Sequence, residues 1–222
     1  LFLKDVGRFA WYEDLSGQMR LDPAYHSICY PINYGMMEDE AMVSSIDHLI
    51  NRLSGPDGEV FISNHFGGHA HNGVATWGMQ CGANNQPVAT LAYSKLGMGN
   101  QAILPLKFIA DIVCHRQAGS FPETAREGFK SYFTPAACMF SLGVIEGIFG
   151  LDRNMLTNTT RIAPCFPDAW DHAKIRIKGI ELSYAKRGKV HTFTGKVADG
   201  TNKIFTWRLP PYGKIKAVLN NA

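Results

Sequence analysis

The sequence is poor in charge. Only 18% of its 222 residues are Asp, Glu, Lys or Arg, and 22 basic against 19 acidic side chains leave a formal net charge of +3. A surface so balanced has no basic field to hold a phosphate backbone, so a nucleic-acid partner is not expected. The chain also lacks any apolar run of the roughly 18 residues that crossing a bilayer takes. Its start, Leu1-Phe2-Leu3-Lys4-Asp5, does not have the order of a signal peptide, and no membrane partner is expected. Cysteine is sparse and odd in number. Cys29, Cys81, Cys114, Cys138 and Cys165 are widely spaced, with no Cys-x-x-Cys pair. That argues against a disulfide framework or a zinc knuckle and leaves small buried thiols as the expectation.

What is present is apolar mass: 45% of the residues are hydrophobic and 11% aromatic, which excludes a disordered chain. Helical period is clear in four places. Glu38, Asp39 and Glu40 lie where the positive end of a helix dipole would be, with Met42, Ile46, Leu49, Ile50 and Leu53 on one face behind them. Gly55-Pro56-Asp57-Gly58 then stops that helix. A second helix is expected over 86–96, with Pro87 in its first turn and Gly97 closing it. A third spans 100–117, with Pro105 near its start. A fourth opens at Thr134-Pro135, with Thr134 as the side-chain cap, and stops at Gly150. Its apolar residues surround it, so burial on most sides is expected. Beyond Pro164, short alternating runs at 174–178, 190–193 and 204–209 are separated by single glycines, the pattern of strands and hairpins. The division expected is therefore a helical region over 1–163 and a small β domain over 164–222.

Between the helices lie 25–34, 61–77 and 120–133, stretches rich in aromatics, Gly, Asn and His that read as non-helical. Long ordered loops in a compact domain usually build a site. In the second of them, His65, His69 and His71 sit on a Gly-rich turn. Three imidazoles could converge on a metal, but the spacing fits no familiar metal motif and no acidic residue lies among them. Ordering of the loop or contact with a polar ligand is the expectation, and no metal is assigned. Trp77 and Gln80, with Asn84, Asn85 and Gln86 behind them, offer a flat apolar face beside amides, which suits a sugar's C–H face and hydroxyl rim; packing under a loop and capping of the next helix is the equal alternative. Tyr25, His26, Tyr30 and Tyr34 form a similar cluster. Glu123, in Ser120-Phe121-Pro122-Glu123, follows a helix, and a proline stiffens its backbone, a setting that suits a general base activating water.

The order Ser120-Phe121-Pro122-Glu123, Ser131-Tyr132-Phe133, Ile145-Glu146-Gly147-Ile148-Phe149-Gly150-Leu151 and Arg161-Ile162-Ala163-Pro164-Cys165-Phe166-Pro167-Asp168-Ala169-Trp170 resembles the closing section of the (α/α)6 toroid glycoside hydrolases, among them the α-L-rhamnosidases and glucoamylase-like enzymes. The resemblance covers about 118–170. It implies a mainly α fold, the last helical hairpins of a six-hairpin toroid, followed by a small antiparallel β domain. It also implies an inverting glycoside hydrolase with Glu123 as general base, while Trp77, Gln80, His65, His69, His71 and Tyr132 line the sugar site. Phe121-Pro122 departs from the family's apolar-Trp pair, so the ring shaping that site would be Trp77 or Tyr132. The partners implied are an oligo- or polysaccharide substrate and the rest of the parent polypeptide, with no cofactor. Because residue 1 is not Met and only four helices are read, the chain is expected to be a C-terminal portion whose general acid lies upstream, Glu13 or Asp14 being the early carboxylates beside aromatics. A non-catalytic glycan-binding piece is the alternative. The compartment is not legible, an extracellular or periplasmic setting being favoured.

Overall fold

The structure, a computed structural model, describes residues 2–21, 24–62, 82–116, 120–123, 133–198, 200 and 202–205. Five α-helices lie among them: α1 (Tyr25–Asn33), α2 (Asp39–His48), α3 (Asn85–Lys95), α4 (Gly99–Asp111) and α5 (Thr134–Leu142). Three of these continue into a wider π-helical turn, α2 over Leu49–Leu53, α4 over Ile112–Arg116 and α5 over Gly143–Ile148. The ten strands are β1 (Phe2–Leu3), β2 (Arg8–Phe9), β3 (Tyr12–Glu13), β4 (Met19–Arg20), β5 (Leu151–Asn154), β6 (Thr159–Ile162), β7 (His172–Ile177), β8 (Ile180–Arg187), β9 (Val190–Val197) and β10 (Asn202–Phe205).

The expectation of a mainly α toroid does not hold. The described residues form a small α+β fold, in which the helices share the chain with two two-stranded ribbons, the antiparallel sheet β7-β8-β9 and the mixed sheet β10-β6-β5. The physical reason lies partly at the start of the chain, where Gly7 and Gly17 take positive φ and turn the first twenty residues into two hairpins. Ser45 Oγ donates to the Gly7 carbonyl at 2.9 Å and holds this region on α2.

Four helices fall close to their expected places, since acidic side chains do open α2 and Gly97 closes α3. Gly97 N–H bonds the Ser94 carbonyl and Met98 N–H the Tyr93 carbonyl, both at 3.0 Å, the paired arrangement that a left-handed glycine after a helix permits. Other details differ. Thr134 is the first residue inside α5 and gives no side-chain cap, and Pro105 lies in the interior of α4. Nor is α5 buried on most sides: Ala136 is its one fully buried residue, and Met139, Phe140 and Leu142 are half-buried. Cys29 and Cys165 are buried as expected of small thiols, whereas Cys114 and Cys138 are exposed.

Over 25–34, where a non-helical stretch rich in aromatics is expected, the chain forms α1, with Pro31 inside it. The helix forms because Tyr25, Ile28, Cys29 and Ile32 recur at helical spacing and are buried in the main core. Burying Ile28 and Ile32 contributes about 1.5–3 kcal/mol each, which together offset the roughly 3 kcal/mol that an interior proline costs.

The core is centred on α3, whose residues from Asn85 to Thr90 are all buried. It packs against α1, α4 and the π-turn after α5. Glycine permits the last approach, because a methyl group on Gly147 would meet Thr90 and one on Gly143 would meet Pro87. Phe166 joins the β7-β8-β9 sheet to this core, its ring lying 5.2 Å from Phe149, 4.5 Å from Tyr184 and 6.0 Å from Trp170.

Candidate functional site

Glu123 sits on a short segment that is pinned at two points. The Ala83 N–H donates to the Glu123 carbonyl at 2.9 Å, and the Phe133 N–H donates to the Phe121 carbonyl at 2.8 Å. Between these anchors the Phe121 ring packs 5.4 Å from Phe140, in a small second core that includes Ala83, Phe108, Ile109 and Ile112. Ser120 and Pro122 are buried and Glu123 is exposed. The backbone is thus held by apolar packing at a residue that is itself exposed.

Gln86 organises the neighbouring backbone. Fully buried, it accepts the Val60 N–H at 2.7 Å and donates to the carbonyls of Val60 at 2.8 Å and Gly82 at 3.2 Å. The amides that follow Gln80 therefore divide. Gln86 serves the fold and Asn85 is buried beside it, so neither is exposed to a sugar. His65, His69, His71, Trp77, Gln80 and Tyr132 lie outside the described residues. Among the described residues no group of three or more His, Cys, Asp or Glu is placed to hold a metal, and no helix is long and apolar enough to cross a membrane.

Of the two early carboxylates, Asp14 is engaged in its own turn. Its Oδ1 accepts the Ser16 N–H at 2.9 Å, the Ser16 hydroxyl at 2.6 Å and the Gln18 N–H at 3.0 Å. Glu13 is half-exposed or more, on the short strand β3.

A second feature, not singled out in the sequence, is an open groove of about 450 Å³ bounded by α1, α3, α5 and the β5–β6 hairpin. Its floor is apolar, from Val88, Leu91, Met139 and Leu142, and its rim carries Tyr30, Tyr34, Lys95, Glu146, Asp152 and Arg161. Glu146 is exposed by area yet stands against the groove wall. Loss of water around its carboxyl, and after that the negative charge of Asp152, raise its pKa above the usual carboxylate value, with Lys95 opposing. On the buried face of α1, burial raises the pKa of Tyr25 and Cys29, and it lowers that of His26. Tyr30 and Tyr34 belong to the aromatic cluster named from the sequence, and the spacing 26, 30, 34 sets its rings in a row.

No protein-family model matches the chain, and no curated protein matches it in sequence. Among solved structures it is similar to the crystal structure of a GH78 family rhamnosidase of Bacillus sp. GL1, with a TM-score of 0.58 and 13% identity over 93% of this chain and 21% of that one. At that identity the likeness is one of fold. The chain spans about a fifth of the length of the structure it matches.

Proposed function

We infer that this chain is part of a glycoside hydrolase in which Glu123 is the general base. Three things support the reading: the resemblance of the 118–170 segment to the closing section of such enzymes, the likeness in fold to a rhamnosidase, and the way Glu123 is held. The observation that carries it is the hydrogen bond from Ala83 to the Glu123 carbonyl, because it ties the base's backbone to the root of the segment bearing Trp77 and Gln80. Gln86 ties that root, at Gly82, to Val60, just before the segment's other end. Phe133, the second anchor, is bonded covalently to Tyr132. In this reading His65, His69, His71, Trp77, Gln80 and Tyr132 line the sugar site.

The proposed chemistry is removal of a proton from water by the Glu123 carboxylate as the water attacks the anomeric carbon, while an acid protonates the departing oxygen. An inverting course needs the two carboxyl groups about 6.5–9.5 Å apart, to admit that water. With Asp14 engaged in its turn, the acid is assigned to the rest of the parent polypeptide. The test is turnover of a panel of aryl glycosides, the α-L-rhamnoside first, by the full-length protein. Glu123→Gln is expected to lower kcat by about 100- to 10,000-fold with the fold intact, and NMR of the first-formed anomer reads the stereochemical course. Unchanged turnover on the best substrate would remove Glu123 from the mechanism.

A further inference from the structure

The groove bounded by α1, α3 and α5 is not part of the Glu123 site. Glu123 precedes α5, whereas Glu146 lies in the last turn of its π-helical continuation, some thirteen helical residues or about 20 Å beyond Phe133. None of the residues that line it is among those proposed for the Glu123 site.

Its walls narrow the choice of ligand. His26, Tyr30 and Tyr34 recur every four residues along α1 and so form a row on one face, with ring centroids 5.5 Å and 6.1 Å apart. Tyr30 is 37% and Tyr34 76% exposed, so two rings of the row keep open faces beside the groove. Opposite stand two carboxylates and two cations, with Asp152 facing Arg161 across the β5–β6 pair. A ligand of either net charge would meet a like charge here, whereas a neutral molecule rich in hydroxyls can donate to the carboxylates and accept from the cations.

We propose that this groove is a second saccharide-binding site, in which Tyr30 and Tyr34 stack on the C–H faces of a neutral glycan and Glu146, Asp152 and Arg161 take its hydroxyls. The site binds without cleaving and retains a glycan chain away from the Glu123 centre. A hydrophobic helix as occupant is disfavoured by the four charges it would have to desolvate.

The test uses the Glu123→Gln protein, so that binding is read without turnover. Methyl glycosides of neutral hexoses and deoxyhexoses, and neutral oligosaccharides built from them, are titrated by calorimetry and saturation-transfer NMR beside glucuronate and glucosamine. Expected are binding of at least one neutral glycan at millimolar concentration, weaker binding of both charged sugars, and a loss of about two- to tenfold in affinity in Tyr34→Ala. Tyr34 is exposed enough for its removal to leave the fold intact, which thermal unfolding checks, and Arg161→Ala provides a second variant on the β5–β6 wall. The proposal is overturned if no neutral glycan binds, if binding is indifferent to both Tyr34→Ala and Arg161→Ala, or if the face instead mediates concentration-dependent self-association that Tyr34→Ala abolishes. Failure of the catalytic reading would appear separately, as undiminished turnover in Glu123→Gln whatever the groove binds.

Discussion

The side-chain amide of Gln86 pairs with the peptide of Val60 from both ends, accepting its N–H at 2.7 Å and donating to its carbonyl at 2.8 Å. A glutamine on a helix thus does the work of a neighbouring strand. The pairing matters because Val60 lies just before, and Gly82 just after, the segment that carries the candidate sugar-contacting residues.

Gln86→Ala strands both backbone groups of Val60 in the core. Each buried, unsatisfied group costs about 1–3 kcal/mol, so chemical denaturation should show a loss of about 2–5 kcal/mol. Gln86→Glu keeps the acceptor for the Val60 N–H but loses both donors, and should be no better. A loss below the measurement error in Gln86→Ala would mean that Val60 finds other partners.

Gly150 closes the π-turn after α5 with a φ of +65°. A methyl group there would also overlap the Ala163 carbonyl, which lies next to the Gly150 backbone through the Ala163 N–H to Gly150 carbonyl bond at 2.8 Å. Gly150→Ala combines left-handed strain with a backbone clash, and a loss of about 2–4 kcal/mol is expected in thermal or urea unfolding. The control, Gly188→Ala, also has positive φ but meets nothing within 4 Å, and should cost only the strain, about 1 kcal/mol.

Asn100 and Asp168 exchange two hydrogen bonds at 2.8 Å, from Asn100 Nδ2 to the Asp168 carboxylate and from the Asp168 N–H to Asn100 Oδ1. This links the start of α4 to the bridge that carries Phe166. Being exposed, the pair should contribute about 1–2 kcal/mol. Asn100→Asp should cost more than Asn100→Ala, because it sets a second carboxylate against Asp168. A double-mutant cycle with Asp168→Ala measures the coupling.

Glu146 gives a pH signature. Its pKa is raised in the folded state, so the fold binds its proton more tightly than the unfolded chain does. Its contribution to stability is then fully present below the ordinary glutamate value of 4.5 and is lost as pH rises through the folded value. Relative to the parent, Glu146→Gln should therefore raise the Tm at neutral pH, and the difference should shrink below that ordinary value. A difference that grows on acidification would reverse the assignment.

Residues whose structure depends on near neighbours were the legible ones. The acidic start of α2, Gly97 after α3, Pro135 at the start of α5 and the alternating runs of β7 and β9 state local preferences, and nothing distant opposes them. Pro31 is the counter-example. Its local veto on helix is outweighed by Ile28 and Ile32, whose burial requires α3 to be in place. The toroid expectation failed for a related reason: helix positions along the chain do not say how helices are arranged, and the short N-terminal ribbons left little periodicity to read. At the candidate site, the motif around Glu123 is local, but the anchoring of its backbone to Ala83, forty residues earlier, is not legible in it.

Periodicity, capping and turn residues, which act over a few positions, were sufficient to specify where four helices and the strands β7 and β9 run. The parallel pairing of β10 with β6, the two-ended grip of Gln86 on Val60 and the groove beside α1 come from residues far apart in the chain. Such contacts form only after burial of the common core has offset the entropy of bringing their segments together, and that balance is struck in three dimensions.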